Sequence, residues 1–513
     1  VNRTTLALIG AVTALAAVTG VGALTVPEDS GDTADSASST ERLPVERSTR
    51  LCPKPTTSEL GETEYTAFTP KGGAGGKGSA ELFPAEYSDP AAPDGKDDKD
   101  DKADKDDGGD GARTKPVLPL KEPGKPVATR TDRSDAPALI GSADGPLAPG
   151  WTVQQTTTVS AGAGRGLHGA VCTDADTDFW FPAASTAAER QDYVHLTNPD
   201  QSSAVVDLEL YGKNGRIKTA AGEEISVPAR STVPVLLSTL TPEPVTNVAV
   251  HAVVRSGRVA AHVQALDTKL GGDWLPPAAE PSPTAVLPGI PADATSVRLM
   301  VVAPGGEDAD LKVRLAAPTG QLTPAGHETL HVKAGMSMAV DLADLTRGEA
   351  GSLILSPSGE GKAAPVVAAL RVTRGKGAEQ ETAFIPATAP VEERATAADN
   401  RAKGTTLSLV APGKSARVRV TASPGSGGGT PRTEDYTVKA GATLAVTPPV
   451  PAGGKGAYAL TVERLSGGEV HAARTLERKQ DGIPMFTVQS LPDDEGTVSV
   501  PAAEQDLSML TGR

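Results

Sequence analysis

His327-Glu328-Thr329-Leu330-His331 matches the H-E-x-x-H pattern of zinc peptidases. That chemistry needs a helix, on which residues four apart stand about 6 Å from each other on one face. Both histidines then reach one Zn²⁺, and the glutamate activates its water. The surrounding chain opposes a helix here. Pro324, Gly326 and Gly335 bracket the stretch, which runs into Val332-Lys333-Ala334-Gly335, a turn that recurs elsewhere. On a strand, His327 and His331 would lie about 13 Å apart, too far to share a metal. The extended peptidase pattern also wants glycine where Ala334 stands. The stretch is therefore read as a strand without zinc-dependent peptidase activity.

Other candidates weaken in the same way. Asp174-Ala175-Asp176-Thr177-Asp178 begins like a calcium loop, but Phe179 takes the place of the required glycine and Ser185 that of the closing glutamate. It reads as a polar turn leading into Phe179, Trp180 and Phe181; a calcium site of another kind stays open. Gly72-Gly73-Ala74-Gly75-Gly76-Lys77-Gly78-Ser79 suggests a phosphate loop, yet Lys71 replaces its first glycine and Gly78 its hydroxyl residue. His168, His195, His251, His262 and His471 have no matched nucleophile nearby and are read as strand-surface residues. Trp151, Trp180 and Trp274 are read as core or inter-module plugs in preference to a carbohydrate platform. No catalytic residue, metal ligand or cofactor is assigned.

The elements that would carry any site are strands. Aromatics make up 3% of the 513 residues, while Gly number 55 and Pro 43. Cores must come from Val, Leu, Ala and Ile, with many turns, which suits β-structure. The formal charge is −15 and no basic stripe compensates, so nucleic acid is not an expected partner. Residues 6–26 form an uncharged apolar run behind Arg3, long enough to cross a membrane. Arg3 favours a cytoplasmic amino end. Val21-Gly22-Ala23 offers a small-residue cleavage site, so the alternative is a removed signal peptide. Either way the remainder is expected outside the cytoplasm, plasma-membrane anchored or secreted. There, Cys52 and Cys172 are expected to form one disulfide.

Repeats divide the chain. Val227-Pro228-Ala229-Arg230 recurs as Val332-Lys333-Ala334-Gly335 and Val438-Lys439-Ala440-Gly441, at intervals of about 105 residues, beyond the period of solenoids or propeller blades. Between the copies, alternating runs such as Val206, Leu208 and Leu210 mark strands with one buried face. Val248, Val250, Ala252 and Val254, then Gly257, then Val259, Ala261 and Val263 read as a closing hairpin. Trp180-Phe181-Pro182, Trp274-Leu275-Pro276 and Phe384-Ile385-Pro386 read as module entrances. An all-β fold follows, with tandem immunoglobulin-like sandwiches after a helix over residues 1–27 and a disordered stalk over 28–50. The modules are placed at 51–179, 180–272, 273–380 and 381–513. In the first, an acidic low-complexity insertion at 88–116 separates a beginning near Cys52, with Tyr65, Phe68 and Phe83 as core candidates, from an end at 149–173. A Cys52–Cys172 bond would staple its first strand to its last.

Several stretches resemble one family. Leu51-Cys52-Pro53, Arg165-Gly166-Leu167 through Ala170-Val171-Cys172, Asp178-Phe179-Trp180-Phe181, Leu196-Thr197-Asn198-Pro199, Val205-Val206-Asp207-Leu208 and Val286-Leu287-Pro288-Gly289-Ile290-Pro291 are similar to a family of unknown function among actinobacterial exported proteins. The resemblance covers most of residues 51–375. It implies a signal-anchored envelope protein and brings no functional residues with it. The expected function is a non-catalytic scaffold or adhesion ectodomain that binds an envelope protein or wall polymer. A cell-wall hydrolase, metal-dependent through His327, Glu328 and His331 or glycan-cleaving, is the competing class, and a solute-binding or sensory ectodomain the third.

Overall fold

Alternating apolar runs need facing surfaces, and the chain supplies them as paired antiparallel sheets. The computed structural model describes residues 41–72, 75–87, 115–359, 363–480 and 482–500. The expected N-terminal helix, the stalk up to residue 40 and nearly all of the acidic insertion lie outside them. Among the described residues no helix is long and apolar enough to cross a membrane. Strands dominate, and the helical elements described are three short 3-10 turns. The sheets discussed below belong to the compact unit Pro44–Val498.

Eight sheets form four sandwiches with one strand order. In the second sandwich, Asp178–Ala184, Val248–Ser256, Ala204–Gly212 and Gly215–Ile217 make one sheet. Gly271–Leu275, Ala260–Asp267, Arg190–Thr197 and Ser231–Leu236 make the other. The third and fourth repeat this order with strands between Ala285–Ile290 and Glu381–Pro386 and between Arg394–Asn400 and Ile483–Leu491. So does the first, from Arg47–Cys52 to Gly166–Val171, with the acidic insertion falling between Ala80–Pro84 and Leu118–Leu120. Each sandwich encloses its own apolar core. Tyr65 belongs to the first core, whereas Phe68 packs on Ala398 and Ala459 of the fourth sandwich and Phe83 is only half-buried.

The sandwiches are also packed on one another, and the packing closes on itself. The closing strands Gly166–Val171, Gly271–Leu275, Glu381–Pro386 and Ile483–Leu491 contact one another in cyclic order, the fourth touching the first. Around this centre a first strand lies across the closing sheet of the next sandwich. Trp180 meets Val302 and Val367, Val286 meets Val410, and Ala398 meets Phe68. Phe384 and Phe486 reach from their closing strands into the cores of the preceding sandwiches. Arg190 lies 5.6 Å from the first ring and Arg374 4.7 Å from the second, within cation–π range.

Two expectations change. The arms around Gly257 do not pair: Val248–Ser256 bonds to Asp178–Ala184 and Ala204–Gly212, while Ala260–Asp267 bonds to Arg190–Thr197 and Gly271–Leu275. The turn passes the chain from one sheet to the facing one. Period-two alternation reports which face is buried and is blind to which strand lies alongside. Trp274-Leu275-Pro276 and Phe384-Ile385-Pro386 likewise lie on strands paired to the preceding arm, so they close a sheet. The recurring turn is real: Val227, Val332 and Val438 are buried, and three residues on Arg230, Gly335 and Gly441 all take positive φ, 52°, 68° and 67°, before the chain enters the next strand.

Cys52 and Cys172 are bonded and fully buried in the first core. The bond closes a loop with a sequence separation of 120. In the chain-entropy view such a loop removes about 4–5 kcal/mol of unfolded-state freedom. Cys52→Ala/Cys172→Ala is expected to lower the unfolding midpoint in urea by a comparable free energy. Wild type under reducing conditions should approach the variant.

Candidate functional site

The cyclic order brings four connecting segments to one side. Residues 172–178, 277–284, 387–390 and 490–495 border a well of about 1090 Å³ whose lining comes from all four sandwiches. Eight carboxylates line it against one guanidinium, Arg50. Three are already matched. Asp174 takes hydrogen bonds from Arg50 and, at 3.3 Å, from Thr49. Asp494 accepts from Arg394 Nε at 2.6 Å. Asp178 lies 2.8 Å from His251 Nε2. Asp176, Glu280, Glu469, Asp493 and Glu495 add negative charge around them. The field is felt by Glu495, whose carboxyl is held above its ordinary value by partial desolvation and then by Asp174, Asp493 and Asp176, with Arg50 opposing.

A smaller, mainly apolar niche of about 260 Å³ adjoins the well and shares Thr173, Ala279 and Thr388 with it. Ala170, Trp274, Pro276, Pro386 and Pro492 supply its apolar walls. Prolines suit this place because they fix the backbone and carry no N–H to satisfy. Three polar side chains there are at least nine-tenths buried and have an atom without a partner: His262 Nδ1, Trp274 Nε1 and Gln489 Nε2. A buried polar group left unpaired costs about 1–3 kcal/mol. His262 points Nε2 at the Val171 carbonyl, 3.3 Å away, which assigns the proton to Nε2 and leaves Nδ1 an acceptor. Burial pulls its pKa down to about 4, so the ring is neutral near pH 7.

Behind the niche the seams carry buried charge. Asp273 Oδ1 accepts from Gly169 N at 2.9 Å and Trp274 N at 2.8 Å, joining the first and second sandwiches. Burial raises its carboxyl well above the ordinary range. Glu381 pairs with Arg165 at 2.8 Å across the first and third, and burial lifts it to about 7 against that pull. Arg474, fully buried, donates to Gln154 at 2.9 Å and to Gln489, and burial lowers it to about 10.

The sequence candidates are scattered through this frame. Thr329–Val332 is a strand paired to Ala309–Ala317. His331 lies exposed beside Asp310 at 2.8 Å and Asp308 at 3.4 Å, and Glu328 accepts from Gly326 N. The carboxylates of Asp174, Asp176 and Asp178 do reach the well, yet among the described residues no three His, Cys, Asp or Glu converge as a metal site. In the glycine loop, Ser79 binds the Asp144 carboxylate through both N and Oγ; residues 73 and 74 lie outside the described residues. Trp151 fills the first core and Trp180 the second seam, stacked on His251 at 3.9 Å.

The histidines are the main correction. Read as surface residues, His168, His195, His262 and His471 are 1%, 6%, 3% and 5% exposed. Their strands face a neighbouring sandwich where a lone module would face water. Sequence reading missed Glu280, Glu469, Asp493 and Glu495, which come from three widely separated stretches of the chain; Glu280, Asp493 and Glu495 lie just beyond closing-sheet strands, a position that only the three-dimensional order makes common.

His195 gives a pH test. Burial first, then His262 and Lys54, depress its pKa from 6.5 to about 3. The neutral ring is compatible with the fold above pH 6.5, and the cost of its burial grows as pH falls from 6.5 towards 3. The stability advantage of wild type over His195→Asn should therefore shrink by about 1–2 kcal/mol between pH 7 and pH 5, read by urea unfolding. A constant difference would mean that His195 is not buried neutral.

No curated protein matches the chain. Residues 127–449, more than half of it and most of the four-sandwich frame, match the family of unknown function DUF5719, and the chain belongs to that family.

Proposed function

We propose that this chain is a non-catalytic, exported protein of the actinobacterial cell envelope. In this reading immunoglobulin-like sandwiches, anchored through residues 6–26 or released by cleavage there, form a rigid interaction ectodomain. Its ligand is an envelope protein or wall polymer, engaged at the well. The observation that carries the reading is the well itself: a large concave surface assembled from four separate segments and continuous with a smaller apolar niche. Concave sites with a few oriented polar groups in an apolar lining are the usual form of ligand pockets. The buried disulfide is compatible with a location outside the cytoplasm.

The hydrolase alternative draws less support. Its metal version needs His327 and His331 on one helical face, and they stand on a strand and its preceding turn. Asp273 and Glu381 have raised pKa values, as a general acid would, but they bind backbone N–H groups and Arg165 within the seams.

Protease treatment of intact expressing cells, followed by thiol labelling, tests the location. The expected result is digestion from outside and two blocked thiols; a protected protein with free thiols would overturn it. For the interaction, envelope extracts are passed over wild type and over Asp176→Asn/Glu469→Gln/Glu495→Gln. A ligand retained by the first and lost by the second is expected. Equal retention, or none, contradicts a binding role for the well.

A further inference from the structure

We infer that this chain pairs with a second copy of itself through the strand Ser337–Asp341, antiparallel and centred on Ala339. The inference goes beyond the ligand proposed for the well and does not depend on it. The closing strands meet at the centre, so the strand at the far side of each closing sheet forms the rim. The four rim strands are Val127–Thr131, Ser231–Leu236, Ser337–Asp341 and Ala442–Val446. A bare edge invites another strand, and proteins blunt such edges with prolines, charges or covering segments. Three of the four are blunted. Ser231–Leu236 carries Pro234 and is covered at Ser231 and Thr232 by Glu86–Tyr87, which adds to it in parallel. Val127–Thr131 carries Arg130, paired with Glu62 and Glu64, and runs into Asp132-Arg133. Ala442–Val446 runs into Thr447-Pro448-Pro449. Ser337–Asp341 has no proline and no basic residue, and among the described residues no strand lies beyond it.

Hydrogen bonds at its two ends fix how this strand faces. Met336 O accepts from Ala303 N at 3.2 Å, and Leu342 N donates to Val297 O at 2.8 Å. The even-numbered residues therefore bond inward, toward Ala294–Val302. Successive residues of an antiparallel strand turn their N–H and C=O to opposite sides. Ser337, Ala339 and Asp341 thus turn theirs outward, with no backbone partner among the described residues. The residues around them are self-complementary. Turned antiparallel about Ala339, Met336 meets Leu342, Ser337 meets Asp341 and Met338 meets Val340 of the second copy. Apolar residues meet on the core side, where Val340 and Leu342 are buried and Met338 packs against them. On the other side a hydroxyl meets an exposed carboxylate. No charge is left facing an apolar residue, which favours a second copy over an unrelated strand. The pairing adds about six backbone hydrogen bonds and joins two four-stranded sheets into one. A two-fold contact of this kind closes on itself and stops at the dimer.

The test is sedimentation equilibrium of the full chain. A contact this small is expected to be weak, so the mass should rise from monomer towards dimer between about 1 and 100 µM. Ala339→Pro removes one outward N–H, at an edge position where proline is tolerated. Counted from Val227 and Val332, Pro234 and Ala339 occupy the same place in their sandwiches, so the variant copies a residue the fold already accepts. It should weaken dimerisation about tenfold or more while leaving the thermal midpoint near that of wild type. If it unfolds the chain, Ala339→Lys takes its place, setting two like charges face to face across the two-fold axis. The register is read by oxidation of single-cysteine variants, since the native cysteines are bonded to each other. Ala339→Cys should cross-link two copies, because directly opposed residues stand about 5.5 Å apart, within disulfide reach. Asp341→Cys should not, because its two copies would stand about 13 Å apart along the strands. A chain that stays monomeric over the whole range overturns the inference. So does a dimer that survives both Ala339→Pro and Ala339→Lys in folded protein, or one that Asp341→Cys cross-links as readily as Ala339→Cys. Each of these outcomes leaves the binding role of the well standing, and loss of ligand capture at the well leaves the dimer standing.

Discussion

A β-sheet with apolar residues on both faces must be covered twice. An antiparallel sheet in an isolated sandwich covers one face and leaves the other wet. Here Leu299, Met300, Val301, Val302 and Ala303 are consecutive and at most 2% exposed. Leu407, Leu409, Val410 and Ala411, interrupted by buried Ser408, repeat the pattern in the fourth sandwich. The inner residues of such a strand fill its own core. The outer ones have no place except against the next sandwich, and the first and fourth meet because each carries a face the other covers. The side-by-side closing strands, the well and its acidic rim all depend on that second layer of burial.

Polar groups refine the fit. Buried ion pairs contribute little net stability, since desolvation offsets much of their attraction. Breaking one member leaves the other stranded, so such pairs penalise wrong packing more than they reward the right one. Arg401 illustrates this at the seam between the fourth and first sandwiches. It donates to Glu64 at 2.5 Å and forms an ion pair with Asp399 at 2.8 Å, while Thr156 Oγ1 donates to Asp399 at 2.7 Å. Asp399 and Glu64 are both buried, and a shifted register would leave these charges without partners.

Much of this was legible in the residues. The alternation of Val206, Leu208 and Leu210 gives a strand with its buried face correctly assigned. The recurring valine turn marks equivalent places in three sandwiches, and the cysteine pair identifies the first and last strands of a split one. Strand partners were not legible, because alternation looks the same whether the next strand lies alongside or opposite. That is why Val248–Ser256 and Ala260–Asp267 read as a hairpin and are not one. The well was less legible still. Asp174, Asp176 and Asp178 were visible as a cluster, but Glu280, Glu469 and Glu495 join them only through closure. One signal was available: consecutive apolar residues at Leu299 to Ala303 break the alternation expected of a sheet with a wet face. Their continuity pointed to a covering neighbour.

Closure between the first and fourth sandwiches is the claim on which the rest turns, and coupling across that seam tests it most directly. Glu64 and Arg401 are 337 residues apart in the chain and can interact only if the seam forms. A double-mutant cycle with Glu64→Gln and Arg401→Met, read by urea unfolding of the full chain, should give a coupling energy of about 1–3 kcal/mol. Additivity within about 0.5 kcal/mol would show that the two sandwiches do not meet there, and the well would lose its fourth wall.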